Sequence, residues 1–206
     1  DDLFLPNKVL LQVKHMEVNP QCLISYHDVE IFDSETGEVI SLYSKKYKPR
    51  QGGIHVLIKY GCFNCGCANF ARRDAIPISG YDKRVSIASD WLLFVETLGE
   101  QGRIQYIDKV LGKYRRHAGN VTSSSVENAI TSRLAQEDHF MSCSLLATRY
   151  PQCFLAIRYR LSSLFLTMAV LNKKRYFRFI LISFLHFPTK NNLGAIILYL
   201  LTRKKI

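Results

Sequence analysis

Residues 87–93 read Ile-Ala-Ser-Asp-Trp-Leu-Leu, and they place a carboxylate in the first turn of an apolar helix. Ser89 is predicted to be the N-cap and Asp90 the first helical residue, where the positive end of the helix dipole favours a negative charge. The apolar residues that follow share one helical face, and Gly99 is predicted to close the helix. Most acids at such a position only cap their helix, so Asp90 alone is a weak candidate for a catalytic residue.

Asp90 is one of several motifs that follow each other in a recognisable order. The motifs are Phe70-Ala71-Arg72-Arg73, Gly80-Tyr81-Asp82, Ser89-Asp90-Trp91, Gly102-Arg103-Ile104 and Tyr114-Arg115-Arg116-His117, and Asp1-Asp2 stands at the start of the chain. Together they resemble the acceptor half of an inverting family 2 glycosyltransferase. The resemblance covers residues 1–122 and implies an α/β fold: a partial GT-A domain, Rossmann-like, that lacks its N-terminal half. An α-helical C-terminal region is expected to follow.

The resemblance also implies roles for individual residues. Asp90 matches the general base that takes the proton from the acceptor hydroxyl, and Asp1 matches the acid that holds a divalent metal. His117 matches a position where some relatives place a further metal ligand, and carboxylate with neutral imidazole suits Mn²⁺, with Mg²⁺ as the other choice. The residues expected to contact the donor diphosphate or the substrate are Asp2, Arg72, Arg73, Trp91, Arg115 and Arg116. Two acids that merely cap a helix remain an alternative for Asp1 and Asp2.

The function implied by the resemblance is transfer of a sugar from a nucleoside-diphosphate sugar to an acceptor hydroxyl with inversion. Bacterial cell-surface polysaccharide or lipopolysaccharide assembly is the expected setting, with a saccharide or lipid-linked acceptor. We expect this C-terminal part alone to be inactive. A non-catalytic membrane-surface binding module derived from the same fold is the competing hypothesis. A zinc-binding domain built on Cys62, Cys65 and Cys67 is a third, but structural zinc takes four ligands and no second Cys or His pair follows at useful spacing.

Charge divides the chain into two parts. Of the 28 Lys and Arg residues, ten lie from Pro151 onward, a stretch without Asp or Glu, so the first 150 residues are close to neutral. We therefore predict two regions, the transferase part at 1–122 and a basic helical region at 123–206. The basic region is too apolar for a groove that follows nucleic acid phosphates, so we expect an anionic membrane surface as its partner and no nucleic acid.

The mode of membrane association follows from the lengths of the apolar runs. No run in the basic region is read as reaching the roughly 20 residues that span a bilayer, which predicts a peripheral protein at the inner face of the cytoplasmic membrane. A packed helical appendage is the alternative. Six cysteines without a signal peptide favour a reducing cytoplasm over a disulfide scaffold.

Hydrophobic periodicity predicts the remaining elements. A strand is expected over Cys22–Asp33, with a turn at residues 34–37 into a second strand over 39–43. Residues 44–53 are basic and contain Pro and Gly, which indicates a mobile loop. Two separate extended pieces are predicted, at 103–107 and 110–117. Further predictions are a helix after Asp1-Asp2 with Val9, Leu10, Val13 and Met16 at helical spacing, and a helix over 126–148.

Overall fold

The computed structural model of the chain describes residues 2–117 and 129–203. The chain divides into two compact units, Asp1–Asp138 and His139–Ile206. Asp1 and the predicted region boundary at 122/123 lie outside the described residues. The mixed α/β class with a helical C-terminal region is confirmed.

A five-stranded mixed sheet forms the framework of the first unit. Its strands are β1 (Leu3–Phe4), β2 (Cys22–Asp33), β3 (Val39–Leu42), β4 (Phe70–Ala71) and β5 (Arg103–Arg116). The order is β1-β5-β2-β3, with β4 also on β2; only β2 and β5 run parallel. The predicted strand β2 and its hairpin with β3 are confirmed. The two extended pieces predicted after residue 102 are one strand, because β5 stays paired with β2 across register shifts around Asp28.

Four helices belong to the first unit before residue 117. They are α1 (Lys8–Glu17), α2 (Tyr43–Lys46), α3 (Ile54–Tyr60) and α4 (Ser89–Leu98), and single 3₁₀ turns lie at Gly66–Ala68 and Arg73–Ala75. Helix α1 packs on β2 and β5, while α4 packs on β2 and α3. These contacts bury both faces of part of β2, which explains its long run of buried residues.

Helix α1 buries only part of the face that its apolar residues predicted. Lys8, Gln12 and Met16 are buried, whereas Val9 and Leu10 are about half exposed. Gln12 Nε2 donates hydrogen bonds to the carbonyl oxygens of Ser25 at 3.2 Å and Ala68 at 3.0 Å. The buried polar groups of α1 are therefore satisfied by the neighbouring backbone, which lets them occupy an interior position.

The segment predicted as a mobile loop is anchored at its C-terminal end. The Tyr26 hydroxyl accepts the Arg50 N–H at 2.6 Å and donates to the Arg50 carbonyl at 2.7 Å. Gly52 exchanges backbone hydrogen bonds with Ile104 on β5, at 2.9 and 2.8 Å. The segment is thus tied to both central strands.

The second unit is helical. Helix α5 (Ala129–Arg149) leads into it, and α6 (Phe154–Leu171), α7 (Tyr176–His186) and α8 (Lys190–Arg203) follow. Buried Ser162, Ser183 and Asn192 join the last three helices: Ser183 Oγ donates to the Ser162 carbonyl at 2.7 Å, and Asn192 Nδ2 donates to Ser162 Oγ at 3.1 Å. Each polar group in this cluster has a hydrogen-bond partner, so its burial avoids the free-energy cost of an unsatisfied polar group.

One described helix, spanning Pro151–Leu171, is long and apolar enough to cross a membrane, with a mean hydropathy of 1.5. The sequence pattern predicts no apolar run of this length, on the ground that Ser162, Ser163 and Thr167 interrupt it. They do not, since the Thr167 hydroxyl donates to the Ser163 carbonyl within the helix at 3.1 Å. Core helices of soluble proteins have the same length and composition, so this feature alone does not establish a membrane span.

Candidate functional site

The start of the described chain and the end of β5 meet at one edge of the sheet. Strand β1 pairs antiparallel with β5, with Leu3 opposite Lys113. The carboxylate of Asp2 then accepts the backbone N–H of Arg115 at 2.9 Å, although the two residues are 113 positions apart. This hydrogen bond brings the predicted diphosphate-binding residues Asp2 and Arg115 together.

The two arginines that end β5 make aromatic contacts with different residues. The Arg115 guanidinium lies 4.8 Å from the centroid of the Phe32 ring, and that of Arg116 lies 5.8 Å from the Tyr114 ring. Arg116 Nη1 also approaches the Tyr114 hydroxyl at 3.5 Å. His117 follows, exposed, directly after the strand. Asp2 therefore meets the backbone of Arg115, while the guanidinium groups of Arg115 and Arg116 lie against different aromatic rings.

Asp90 lies exposed in the first turn of α4, as predicted, but the capping prediction is wrong. The helix begins at Ser89, Ala88 occupies the N-cap position, and Ser89 Oγ donates to the Ser86 carbonyl at 3.2 Å instead. Burial, and then the charge of Asp90 with its hydrogen bond to the phenol, raises the pKa of Tyr81. Tyr81 is therefore a neutral hydroxyl beside the Asp90 carboxylate.

A distant carboxylate caps α4. Oδ2 of Asp138, on α5, accepts the N–H of Ser86 at 2.9 Å and of Ala88 at 3.2 Å, and it also accepts the N–H of Ile87. The Ser86 hydroxyl donates to the same oxygen at 3.2 Å. An anion bound by successive N–H groups at a helix N-terminus is strongly favoured, so Asp138 holds the turn that carries Asp90.

The structure places two predicted substrate-binding residues elsewhere. Trp91 is 1% exposed, and its indole N–H donates to the Leu57 carbonyl at 2.8 Å, so its side chain is buried in the core. Arg72 donates to the carbonyls of Cys22 at 3.1 Å and Met16 at 2.6 Å, which engages its guanidinium with the backbone. Arg73 is exposed in a 3₁₀ turn, and no contact links it to Asp2 or Asp90 in the hydrogen bonds described.

Cys67 lies near Asp2, and the buried Lys8 lies near Cys67. Cys65 Sγ and Cys67 Sγ are 3.5 Å apart, and this hydrogen bond, followed by burial and the nearby Asp2 carboxylate, raises the pKa of Cys67. Lys8 is 3% exposed; burial lowers its pKa, while Nζ donates to Gln12 Oε1 at 2.7 Å. Among the side chains that the structure describes, no group of three or more His, Cys, Asp or Glu is placed to hold a metal ion.

Two adjoining cavities, of about 310 and 290 Å³, share Tyr43, Tyr47 and Tyr114 as walls. We call them together the tyrosine cleft. Its remaining lining residues are Ile31, Ile40, Ser41, Lys46 and Arg116 on one side and Cys62, Asn64, Cys65 and Gly66 on the other. The cleft adjoins Asp2, because Tyr114 precedes Arg115 and Cys65 contacts Cys67.

Sequence reasoning missed several of these residues. Tyr43 and Tyr47 are four positions apart, so their i, i+4 spacing on a helical turn was a signal that they could form one wall. Asp138 had no such signal, because its partners lie 50 or more positions away in the chain. Lys8 is four positions from its partner Gln12, but nothing local indicated that this pair would be buried. No protein-family model matches the chain, and no curated protein matches it at a significant level.

Proposed function

We propose that this chain is the acceptor-side part of a GT-A, family 2 glycosyltransferase that moves a sugar from a nucleoside-diphosphate donor to an acceptor hydroxyl with inversion. The observation that supports the proposal best is the hydrogen bond between Asp2 and the Arg115 backbone. This hydrogen bond joins Asp1-Asp2 to Tyr114-Arg115-Arg116-His117, the two motifs that the family resemblance assigns to the donor diphosphate and its metal. The two motifs lie at opposite ends of residues 1–122, the part of the chain that the resemblance covers. A chance combination of motifs does not require that contact.

Arg115 and Arg116 supply charge to the proposed diphosphate site. Guanidinium groups bind phosphate oxygens in pairs and stay charged at all physiological pH values, so they stabilise a departing diphosphate. Packing against Phe32 and Tyr114 restricts both side chains, and this reduces the conformational entropy lost when the donor binds.

Asp90 is the proposed base. It takes the proton of the acceptor hydroxyl while that oxygen attacks the anomeric carbon, and the bond from that carbon to the diphosphate oxygen breaks with its electron pair. The exposed position of Asp90 leaves the carboxylate accessible to an acceptor. The exposed Tyr81 phenol lies near this carboxylate, which contributes to the raised pKa of Tyr81.

The proposed divalent metal is Mn²⁺ or Mg²⁺, held by Asp1 and His117. Asp2 follows Asp1 in the chain and Arg115 lies two residues before His117, and Asp2 and Arg115 are hydrogen-bonded to each other. A carboxylate and an imidazole are ligands that suit Mn²⁺. When bound, the metal neutralises charge on the diphosphate.

Turnover of a panel of nucleoside-diphosphate sugars by the full-length protein tests this proposal, with Mn²⁺ or Mg²⁺ and cell-envelope saccharide acceptors. Asp90→Asn is expected to lower transfer by about 10²–10⁴-fold, the usual contribution of a general base, and to leave donor binding intact. Asp74→Asn, an exposed acid in the turn after β4, is the matched control and should transfer normally. Undiminished transfer by Asp90→Asn, or no transfer with any donor, overturns the proposal.

For the second unit we propose attachment to the anionic inner face of the cytoplasmic membrane. Its surface combines exposed apolar side chains, including Phe154, Leu155 and Leu201, with the basic residues that follow Pro151. Co-sedimentation of the protein with vesicles should be stronger for phosphatidylglycerol than for phosphatidylcholine and should weaken as salt rises. If the protein sediments with neither kind of vesicle, the membrane proposal is wrong and the second unit is a packed helical appendage.

A further inference from the structure

The walls of the tyrosine cleft are aromatic and meet at a right angle. Tyr43 and Tyr47 stack with ring centroids 4.6 Å apart, and Tyr114 meets Tyr43 edge-on at 6.4 Å and 89°. Tyr47 keeps 38% of its surface exposed, so part of its ring is open to a ligand. Flat aromatic faces bearing hydroxyl groups suit sugar rings, which have an apolar C–H face and a polar edge.

The charged residues that line the cleft are basic, which favours a sugar with an anionic group. Lys46 and Arg116 line it, and none of the described residues that line it is acidic. The Lys46 ammonium lies over the Tyr47 ring, 5.3 Å from its centroid, so a cation adjoins this aromatic wall. A ligand with a sugar ring on Tyr47 and an anionic group near Lys46 satisfies both features.

The cavity of about 290 Å³ has an unsatisfied acceptor in its wall. Asn64 is 6% exposed, and its Oδ1 has no hydrogen-bond partner among the described residues. Buried amide oxygens are nearly always paired in native proteins. A donor such as a sugar hydroxyl, reaching this wall through a small movement of the side chain, would supply the partner.

The position of the cleft relates it to the donor site. Tyr114 directly precedes Arg115, whose N–H binds Asp2, and Cys65 in the cleft wall hydrogen-bonds with Cys67, which adjoins Asp2. A saccharide bound in the cleft therefore lies next to the groups assigned to the diphosphate.

From these four observations we propose that the tyrosine cleft is an acceptor subsite for an acidic sugar, either a uronic acid or a sugar phosphate. This inference rests on the proposed function, because it treats the bound saccharide as the acceptor. Burial, with smaller effects from neighbouring thiols and phenols, raises the pKa of Tyr43, so its hydroxyl remains a donor at neutral pH.

Calorimetric titration of the full-length protein tests the subsite without requiring turnover. The probes are a glucuronic acid disaccharide, its uncharged methyl ester and a glucose 6-phosphate disaccharide. The uronate or the phosphate should bind more tightly than the ester, and the tighter of the two identifies the source of the anion. Tyr47→Leu should weaken binding about three- to tenfold and Tyr47→Phe should restore it. Lys46→Ala should weaken the acids alone, while Lys45→Ala, exposed but outside the cleft lining, serves as the matched control.

The outcomes separate this inference from the proposed function. If Asp90→Asn abolishes transfer but the Tyr47 and Lys46 variants bind every probe normally, the subsite is wrong and the transferase stands. If the probes bind with the expected dependence and no donor is turned over, the site is a saccharide-binding site and its acceptor role is wrong. Displacement of the uronate by a nucleoside diphosphate would show a nucleotide site and overturn the inference.

Discussion

Removal of the Asp138 carboxylate should destabilise α4 more than any ordinary surface substitution. The Asp138→Ala variant loses an oxygen that accepts three backbone N–H groups and the Ser86 hydroxyl. Loss of an N-cap costs about 0.5–2 kcal/mol, and loss of an anion from a helix N-terminus costs about 0.3–1 kcal/mol more. We therefore expect unfolding of α4 to become easier by about 1–3 kcal/mol. Ala88 at the N-cap position supplies no side-chain hydrogen bond of its own to the start of this helix.

Two further variants separate charge from geometry. Asp138→Asn keeps a carbonyl acceptor but removes the charge, and charged hydrogen bonds are roughly twice as strong as neutral ones, so about half of the loss should remain. Glu137→Ala is the neighbouring control, because it removes an exposed pair with Arg133 at 2.9 Å that contributes no more than about 0.5 kcal/mol.

The measurement should resolve α4 from the rest of the chain. With two compact units, the whole protein need not unfold in one step, so amide hydrogen exchange of residues 89–98 reports the relevant opening free energy. Urea unfolding gives the global value. Exchange protection in Asp138→Ala equal to that in Glu137→Ala would refute the capping argument, because the carboxylate would then contribute nothing to the helix start.

Three other predictions concern the core and the thiols. Trp91→Phe should lower the free energy of unfolding by about 1–3 kcal/mol, because it loses the hydrogen bond to the Leu57 carbonyl and leaves a small void. Donor binding should not change. A change in donor binding without loss of stability would instead indicate that Trp91 contacts the substrate. Burial raises the pKa of Cys22 to about 11, so the unfolded chain releases this proton first. The free energy of unfolding should fall as pH rises between about 9 and 11, by up to about 1.4 kcal/mol per pH unit. Urea unfolding at several pH values should show that this free energy falls less steeply with pH in Cys22→Ala. Cys62 is exposed and should give the fastest phase in maleimide labelling of the folded protein, a phase absent in Cys62→Ser.

How far the site could be predicted depends on whether each signal is local. Asp90 was found from its own neighbourhood, because a helix start and its acid are a few residues apart. The family resemblance assigned Asp2 and Arg115 to one site but did not predict their hydrogen bond, since nothing local joins residues 113 positions apart. Arg72 and Trp91 have the residue types that bind substrates, yet burial decides their roles, and burial depends on what packs around them.

The sequence by itself determined the local elements: the strand over Cys22–Asp33, the hairpin after it, and the end of α4 at Gly99, whose φ of 53° suits glycine. These depend on side-chain period and turn chemistry within a few residues. Only the tertiary structure decided that α1 buries Lys8 and Gln12 and exposes Val9, because carbonyls of β2 and of the 3₁₀ turn at residue 68 receive the polar groups. It likewise decided that Asp138 caps α4 and that three tyrosines share one cleft. Such pairings are set by packing between distant segments, and periodicity along the chain carries no information about them.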